Sequence, residues 1–236
     1  MIAILLAGGL GTRLHSVTKD LYPKCLAPVN DKPFVHYLID LLYSQGITNY
    51  VVAVSHLSDQ VIESLGKYYP HLNMTFSIEV EPLGTGGAIK QALSYCKGQD
   101  AIVFNADSFV EFSIKDFLQS RQTTADVNIV CVSVPDISRF GAADIEDNGT
   151  LRKFFEKGRT GPGFINAGVY HFEYEKGTQL MAHFPGKFSF EHDILSSQNT
   201  AVSCFKTEGL FFDIGTPSDF IKAHSLIELN KNLFSV

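Results

Sequence analysis

Residues 2–14 read IAILLAGGLGTRL, and this stretch decides how the rest of the chain is read. Residues 2–7 form an unbroken apolar run, as expected of a strand covered on both faces. Gly8, Gly9 and Gly11 follow at once. Glycines directly after a strand let backbone amides approach a phosphate or a base with no Cβ in the way. Two familiar templates fail here. The dinucleotide pattern G-x-G-x-x-G fits Gly9 and Gly11 but then meets Leu14, and the P-loop pattern counted from Gly8 meets Arg13 where its glycine–lysine pair should begin. What remains is a nucleotide-sized loop that carries its own cation, Arg13, with a second cation, Lys24, after Pro23. Two cations beside a backbone-lined loop suit a triphosphate.

Outward from this loop the first half alternates strand and helix. Residues 33–45 predict a helix, with Phe34, Tyr37, Leu38, Leu41 and Leu42 at helical spacing and Gly46 at its stop. Strands are expected at 50–55, 74–80, 101–105 and 127–134, and helices at 59–68 with Ser58 as its cap, at 87–97, and at 114–122 capped by Ser113. The rhythm then changes. Residues 142–146 and 151–156 flank Asn148-Gly149 as a hairpin, and short strands follow near 165–172, 201–205 and 210–213. A last helix starts at Pro217, with Thr216 as its cap. The pattern predicts one Rossmann-like, doubly wound α/β domain with a mixed, mostly parallel sheet. Residues 1–135 are expected to form its nucleotide-binding half and 136–236 its substrate-binding half, the two sharing one sheet.

Composition narrows the function. Of 236 residues, 45% are hydrophobic and 19% charged, which supports a packed core. A net charge of −6 argues against broad nucleic-acid binding. Cys25, Cys96, Cys131 and Cys204 form no C-x-x-C pair and read as buried thiols. The eight histidines show no paired-ligand spacing. The N-terminal apolar run is too short for a signal peptide or membrane span, so a cytoplasmic location is expected.

In this order, LAGGLGTRL followed by Pro23-Lys24 resembles the signature of sugar-1-phosphate nucleotidyltransferases. Further segments are similar to that family: EPLGTGG at 81–87, Asn105-Ala106-Asp107, Phe140-Gly141, Glu156-Lys157, Asn166-Ala167-Gly168 and DIGTP at 213–217. Cys25 stands where the family has a second proline, and Ala106 where it has glycine. The resemblance implies nucleotidyl transfer: an oxygen of the sugar phosphate attacks the α-phosphorus of a nucleoside triphosphate in line, and pyrophosphate leaves. The nucleophile is already anionic, so the enzyme must align and neutralise rather than deprotonate. Asp107 and Asp213 are implied as ligands of Mg²⁺, and Arg13, Lys24 and Asp107 as the catalytic set. Leu6, Ala7, Gly8, Gly9, Gly11, Thr12, Arg13, Lys24, Glu81, Gly84 and Thr85 are implied to bind the nucleotide. Asp107, Gly141, Glu156, Lys157, Asn166, Gly168 and Glu191 are implied to bind the sugar phosphate, although a plain helix-start carboxylate explains Glu191 about as well.

Within the family, the EPLGTGG form, the FSFE segment at 188–191 and the short length look most like bacterial enzymes that make GDP-linked D-glycero-D-manno-heptose. That likeness implies GTP and a heptose 1-phosphate as substrates, in lipopolysaccharide, capsule or S-layer glycan synthesis. Mannose 1-phosphate with GTP, and glucose or N-acetylmuramate 1-phosphate with UTP, are the alternatives. At this length no appended acyltransferase-type β-helix is expected, and a monomer or homodimer is expected. A sugar-nucleotide-using glycosyltransferase would lack the G-G-x-G-T-R and P-K pair. A non-catalytic sensor would have lost Lys24, Asp107 or Asp213, and all three are present.

Overall fold

The computed structural model describes residues 1–9 and 11–234. The chain enters on β1 (Ile2–Leu6), whose residues are almost wholly buried. The glycine loop leads into a short helix, α1 (His15–Thr18), and a small ribbon, β2 (Pro28–Val29) and β3 (Lys32–Pro33). α2 (Phe34–Ser44), β4 (Asn49–Val54), α3 (Ser58–Tyr68) and β5 (Asn73–Ile78) complete the first two crossovers. Then come α4 (Gly84–Leu93), β6 (Ala101–Asn105), β7 (Ser108–Val110), α5 (Ile114–Ser120) and β8 (Val127–Val134). The second half holds β9 (Ala142–Ile145), β10 (Leu151–Phe155), β11 (Gly163–Phe172), α6 (Tyr174–Ala182), β12 (Val202–Thr207), β13 (Phe211–Asp213) and α7 (Pro217–Leu229).

Nine strands build one mixed sheet, with β10-β9-β11-β6-β1-β4-β5 in order and β8 carrying β12 alongside β11. β1, β4, β5 and β6 run parallel; β11 enters antiparallel against β6, Val169 facing Phe104. This junction joins the two halves of the chain into the single α/β sheet that the sequence predicts. One apolar cluster, including Val35, Leu38, Val61, Leu65 and Phe117, packs α2, α3 and α5 on one face. A second, including Ile89, Leu93, Met181 and Phe190, packs α4 and α6 on the other. All four cysteines are buried and free, as expected.

Several details differ from expectation. α4 begins at Gly84, three residues earlier than the glycine-rich sequence suggested, because Gly86 N donates to Phe188 O and Phe188 N to Leu83 O (3.1 and 3.0 Å), pinning the first turn. Ser58 does not cap α3: Leu57, at φ 57°, precedes the helix and makes no side-chain cap bond. β13 leaves the main sheet and pairs with β7 in a separate ribbon. The caps at Ser113 and Thr216 form as expected, accepting from Asp116 N and Asp219 N. Among the described residues no helix is long and apolar enough to cross a membrane.

Candidate active site

Three connected chambers run along the carboxyl ends of the central strands, where open α/β sheets bind ligands. The first is walled by Leu6, Ala7, Gly8, Gly9, Lys24, Cys25, Glu79, Pro82, Gly84, Thr85, Ala88, Asn105 and Asp107, and encloses about 260 Å³. It shares Lys24, Asn105 and Asp107 with a middle chamber that adds Arg13, Ser108, Arg139, Asp213 and Gly215. The middle chamber in turn shares Gly141, Lys157 and Asn166 with an outer one that adds Glu156, Ser189, Glu191 and His192.

The centre is built by β6, β7 and β13. Asp107 lies between β6 and β7, and the β13–β7 ribbon sets Asp213 opposite Ser108. Ile214 N donates to Asp107 O at 3.0 Å, which ties the two aspartate loops together. Lys24 Nζ donates to Asp107 Oδ2 at 2.5 Å from a side chain only 10% exposed. Gly215 N donates to Asp213 Oδ1 at 2.5 Å. Burial raises the Asp213 pKa, and the negative charges of Asp219 and Asp107 add to this against the Gly215 N–H and Lys24. Two close carboxylates with only oxygen donors fit a hard divalent cation. Among the described residues no third side-chain ligand joins them, as at sites where Mg²⁺ completes its shell with phosphates and water. Cys25, the departure in the P-K segment, is a buried neutral thiol: burial and the Asp107 charge push its pKa up to about 12.

In the first chamber, Glu79 Oε2 accepts from Leu83 N at 2.9 Å, so the carboxylate braces the turn that opens α4. Gly84 sits in that turn at φ 73°, and an added Cβ would collide with the Phe188 carbonyl, so glycine is required. At the outer chamber a hydrogen-bonded chain crosses the cleft. Asn166 Nδ2 donates to the Tyr170 hydroxyl at 2.8 Å, Tyr170 donates to Glu191 Oε1 at 3.2 Å, and Thr85 Oγ1 donates to Glu191 Oε2 at 2.5 Å. Tyr170 is fully buried. Asn166 Oδ1 also accepts from Gly168 N at 2.9 Å. Gly168 is at φ 75°, with the Asn105 amide against the place a Cβ would occupy.

This cleft joins a glycine loop, two strand-end carboxylates, one of them bound by Lys24, and a polar outer chamber. The nucleotidyl transferase family model matches residues 2–230. The chain belongs to the nucleotidyl transferase family. It is 34% identical to D-glycero-alpha-D-manno-heptose 1-phosphate guanylyltransferase of Campylobacter jejuni, over 93% of this chain and 97% of that one. It is 33% identical to the enzyme of the same name from Aneurinibacillus thermoaerophilus, over 97% and 99%. The crystal structure of HddC from Yersinia pseudotuberculosis superposes with a TM-score of 0.85 at 38% identity, covering 96% of this chain and 99% of that one. A crystal structure of the same protein is complexed with GMP-PN.

For this nucleotidyl transferase, the structure brings most of the predicted residues into the cleft, but not all. Leu6, Ala7, Gly8, Gly9, Lys24, Gly84, Thr85 and Asp107 line the first chamber, and Arg13 and Asp213 the middle one. Gly141, Lys157, Asn166 and Gly168 also wall the middle chamber, and Glu156 and Glu191 the outer one. Thr12 instead lines a separate recess with His15, Asp20 and His56, and Gly11 supplies a left-handed turn (φ 62°) rather than a chamber wall. Leu10 lies outside the described residues. Glu81 is exposed and lines none of the three chambers; the neighbouring acid Glu79 takes the cleft position expected of it. The pattern Ile78-Glu79-Val80-Glu81 puts both acids on one face of an extended strand, so alternation cannot separate them. The β5 ladder ends near Glu79, and the chain turns away before Glu81. Arg139 and Tyr170 were not singled out from sequence, because their roles depend on partners distant in the chain.

Proposed function

We propose that the protein is a Mg²⁺-dependent sugar-1-phosphate guanylyltransferase that joins GTP to a manno-configured heptose 1-phosphate and releases pyrophosphate. The observation that carries this reading is the continuity of the cleft. The first chamber opens at Lys24 and Asp107 into the middle one, which holds Asp213, and the middle one opens at Gly141, Lys157 and Asn166 into the polar outer chamber. The names of the relatives and the nucleotide-analogue complex of the Yersinia protein support guanine and heptose.

In this reading the base enters the first chamber, against the backbone of Ala7 and Gly8 and the Glu79 carboxylate. Guanine presents N1–H and N2–H donors, which a carboxylate accepts; adenine presents the opposite edge at that position. Arg13 and Lys24 meet the triphosphate. Lys24, held at Asp107, stands where negative charge shifts toward the leaving pyrophosphate. Asp107 and Asp213 would hold the cation, which when bound neutralises phosphate charge and helps align the two anions. Lys157 meets the sugar phosphate, and Glu156, Asn166 and Glu191 face its hydroxyls. The Asn166–Tyr170–Glu191 chain fixes these acceptors and donors before substrate arrives, which lowers the ordering cost at the transition state. The need for a nucleoside triphosphate supports a cytoplasmic location in this reading.

The test is direct. GTP and D-glycero-α-D-manno-heptose 1-phosphate are incubated with the protein and Mg²⁺, and the products are followed by ³¹P NMR. A pair of coupled diphosphate doublets together with free pyrophosphate is expected, abolished by chelation. Hydrolysis of GTP with no diphosphate-linked sugar would remove the proposal.

A further inference from the structure

Arg139 immediately precedes the Phe140-Gly141 segment and lines the middle chamber beside Arg13, Lys24 and Lys157. Its guanidinium is gripped by Asp219 in the first turn of α7: Nη1 donates to Oδ1 at 2.5 Å, and Nη2 donates to Oδ2. Asp219 is itself buried and accepts from the Thr216 hydroxyl at 2.6 Å. Burial pushes the Asp219 pKa up, but Arg139 and Thr216 outweigh this and hold it below the usual carboxylate range. The partners differ sharply in exposure. The Arg139 side chain is 44% exposed and that of Asp219 only 8%. A guanidinium has five N–H donors in a fixed fork, and Asp219 takes one from each terminal nitrogen. Three donors remain outside this grip, and the Phe140 ring lies 5.5 Å from the guanidinium carbon.

Within the same chamber Lys24 is committed to Asp107. Arg13 and Lys157 form no ion pair with any described residue. A sugar phosphate entering beside Gly141 therefore meets Lys157 and Arg139 on the two ends of one short segment pair, β10's exit and the loop before β9. We propose that Arg139 is a second binding residue for the phosphate monoester of the sugar substrate, working with Lys157 and oriented by Asp219. This rests on the proposed function. Arginine suits the task better than lysine, because it grips Asp219 with two donors while presenting others to phosphate.

The experiment compares wild type with Arg139→Ala, Arg139→Lys, Arg139→Gln and Asp219→Asn in steady-state turnover of GTP with heptose 1-phosphate, with thermal midpoints recorded for each. In Arg139→Ala the KM for the sugar phosphate should rise about tenfold or more, the KM for GTP should stay within about twofold, and kcat should fall less than the sugar-phosphate KM rises. Arg139→Lys should lie between, having kept the charge but lost the fork. Asp219→Asn leaves the guanidinium in place and should raise the same KM by less than Arg139→Ala does. If Arg139→Ala does not fold, Arg139→Gln carries the comparison. The proposal is overturned if the sugar-phosphate KM is unchanged, or if Arg139→Ala and Asp219→Asn move both KM values alike, as a purely structural clamp requires. Should wild type turn over no substrate pair, the functional reading fails separately. Calorimetric titration of inorganic phosphate into wild type and Arg139→Ala then decides: weaker binding in the variant supports the assignment, and equal binding overturns it.

Discussion

Replacing Glu79 with Gln probes how guanine is chosen. The carboxylate is buried, which raises its pKa, and the Leu83 N–H at 2.9 Å works against that. Glutamine retains a carbonyl for Leu83 N but swaps the second oxygen for an NH₂ group. Where the wild-type oxygen accepts from guanine N1–H or N2–H, the variant sets donor against donor. A hydrogen bond to a charged group contributes about 1.5–3 kcal/mol, so kcat/KM for GTP should fall about 10- to 150-fold. The fall should be smaller for ITP, which lacks the N2 amino group, so the preference for GTP over ITP narrows. Because the folded pKa is raised, wild-type kcat/KM for GTP should decline on the acid side from above the usual carboxylate range. That limb should be absent in Glu79→Gln. The assay is pyrophosphate release under subsaturating nucleotide from pH 5 to 8. Equal losses with GTP and ITP, or an unchanged acid limb, would refute the assignment of Glu79 to the base.

Other expectations follow from the same geometry. Asp107→Asn should lower turnover by about 10²- to 10³-fold or more with little change in thermal midpoint, since Asp213 remains a counter-charge for Lys24; Asp213→Asn should be milder, and near-normal turnover of Asp107→Asn in Mg²⁺ would contradict the metal assignment. Lys24→Ala should depress kcat, whereas Lys157→Ala should chiefly raise the KM for sugar phosphate; weaker GTP binding in Lys157→Ala would show the chambers wrongly divided. Acid should destabilise the fold through His36 and His171, buried histidines whose pKa burial lowers from 6.5 to about 4. Both are neutral when folded, so stability is complete above pH 6.5 and is lost as pH falls toward 4, by ~2 kcal/mol for each at pH 5. Both ring nitrogens of His171 lack a hydrogen-bond partner, so His171→Leu should flatten the pH dependence of urea midpoints between pH 7 and 5, and an unchanged slope would exclude His171 as a source.

Much of this was legible in the chain because local signals agreed with the global fold. The apolar run before Gly8, the caps at Ser113 and Thr216, and the Asn148-Gly149 hairpin each rest on neighbours in sequence, and each forms. The strand-end positions of Asp107 and Asp213 were readable too, but not their closeness, which comes from β13 leaving the sheet to pair with β7. Where the reading fell short, a distant partner decided. α4 starts early because the Phe188 backbone, about a hundred residues on, holds Leu83 and Gly86. Glu79 rather than Glu81 faces the cleft because the chain turns after β5, which alternation alone cannot reveal. Arg139 looks like an ordinary surface cation until Asp219, 80 residues away, fixes its fork. Tyr170 continues the apolar pattern of β11, and its hydroxyl becomes informative only where Asn166 and Glu191 meet it.

Transfer of a guanylyl group to a manno-configured heptose 1-phosphate is tested by a crossed measurement of kcat/KM by pyrophosphate release, with GTP, UTP, CTP, dTTP and ATP each paired with heptose, mannose, glucose and N-acetylmuramate 1-phosphates. The highest value is expected for GTP with heptose 1-phosphate, with GTP and mannose 1-phosphate next. An optimum at UTP with glucose 1-phosphate would contradict the substrate assignment while keeping the reaction, and no pyrophosphate from any pair would contradict the reaction itself.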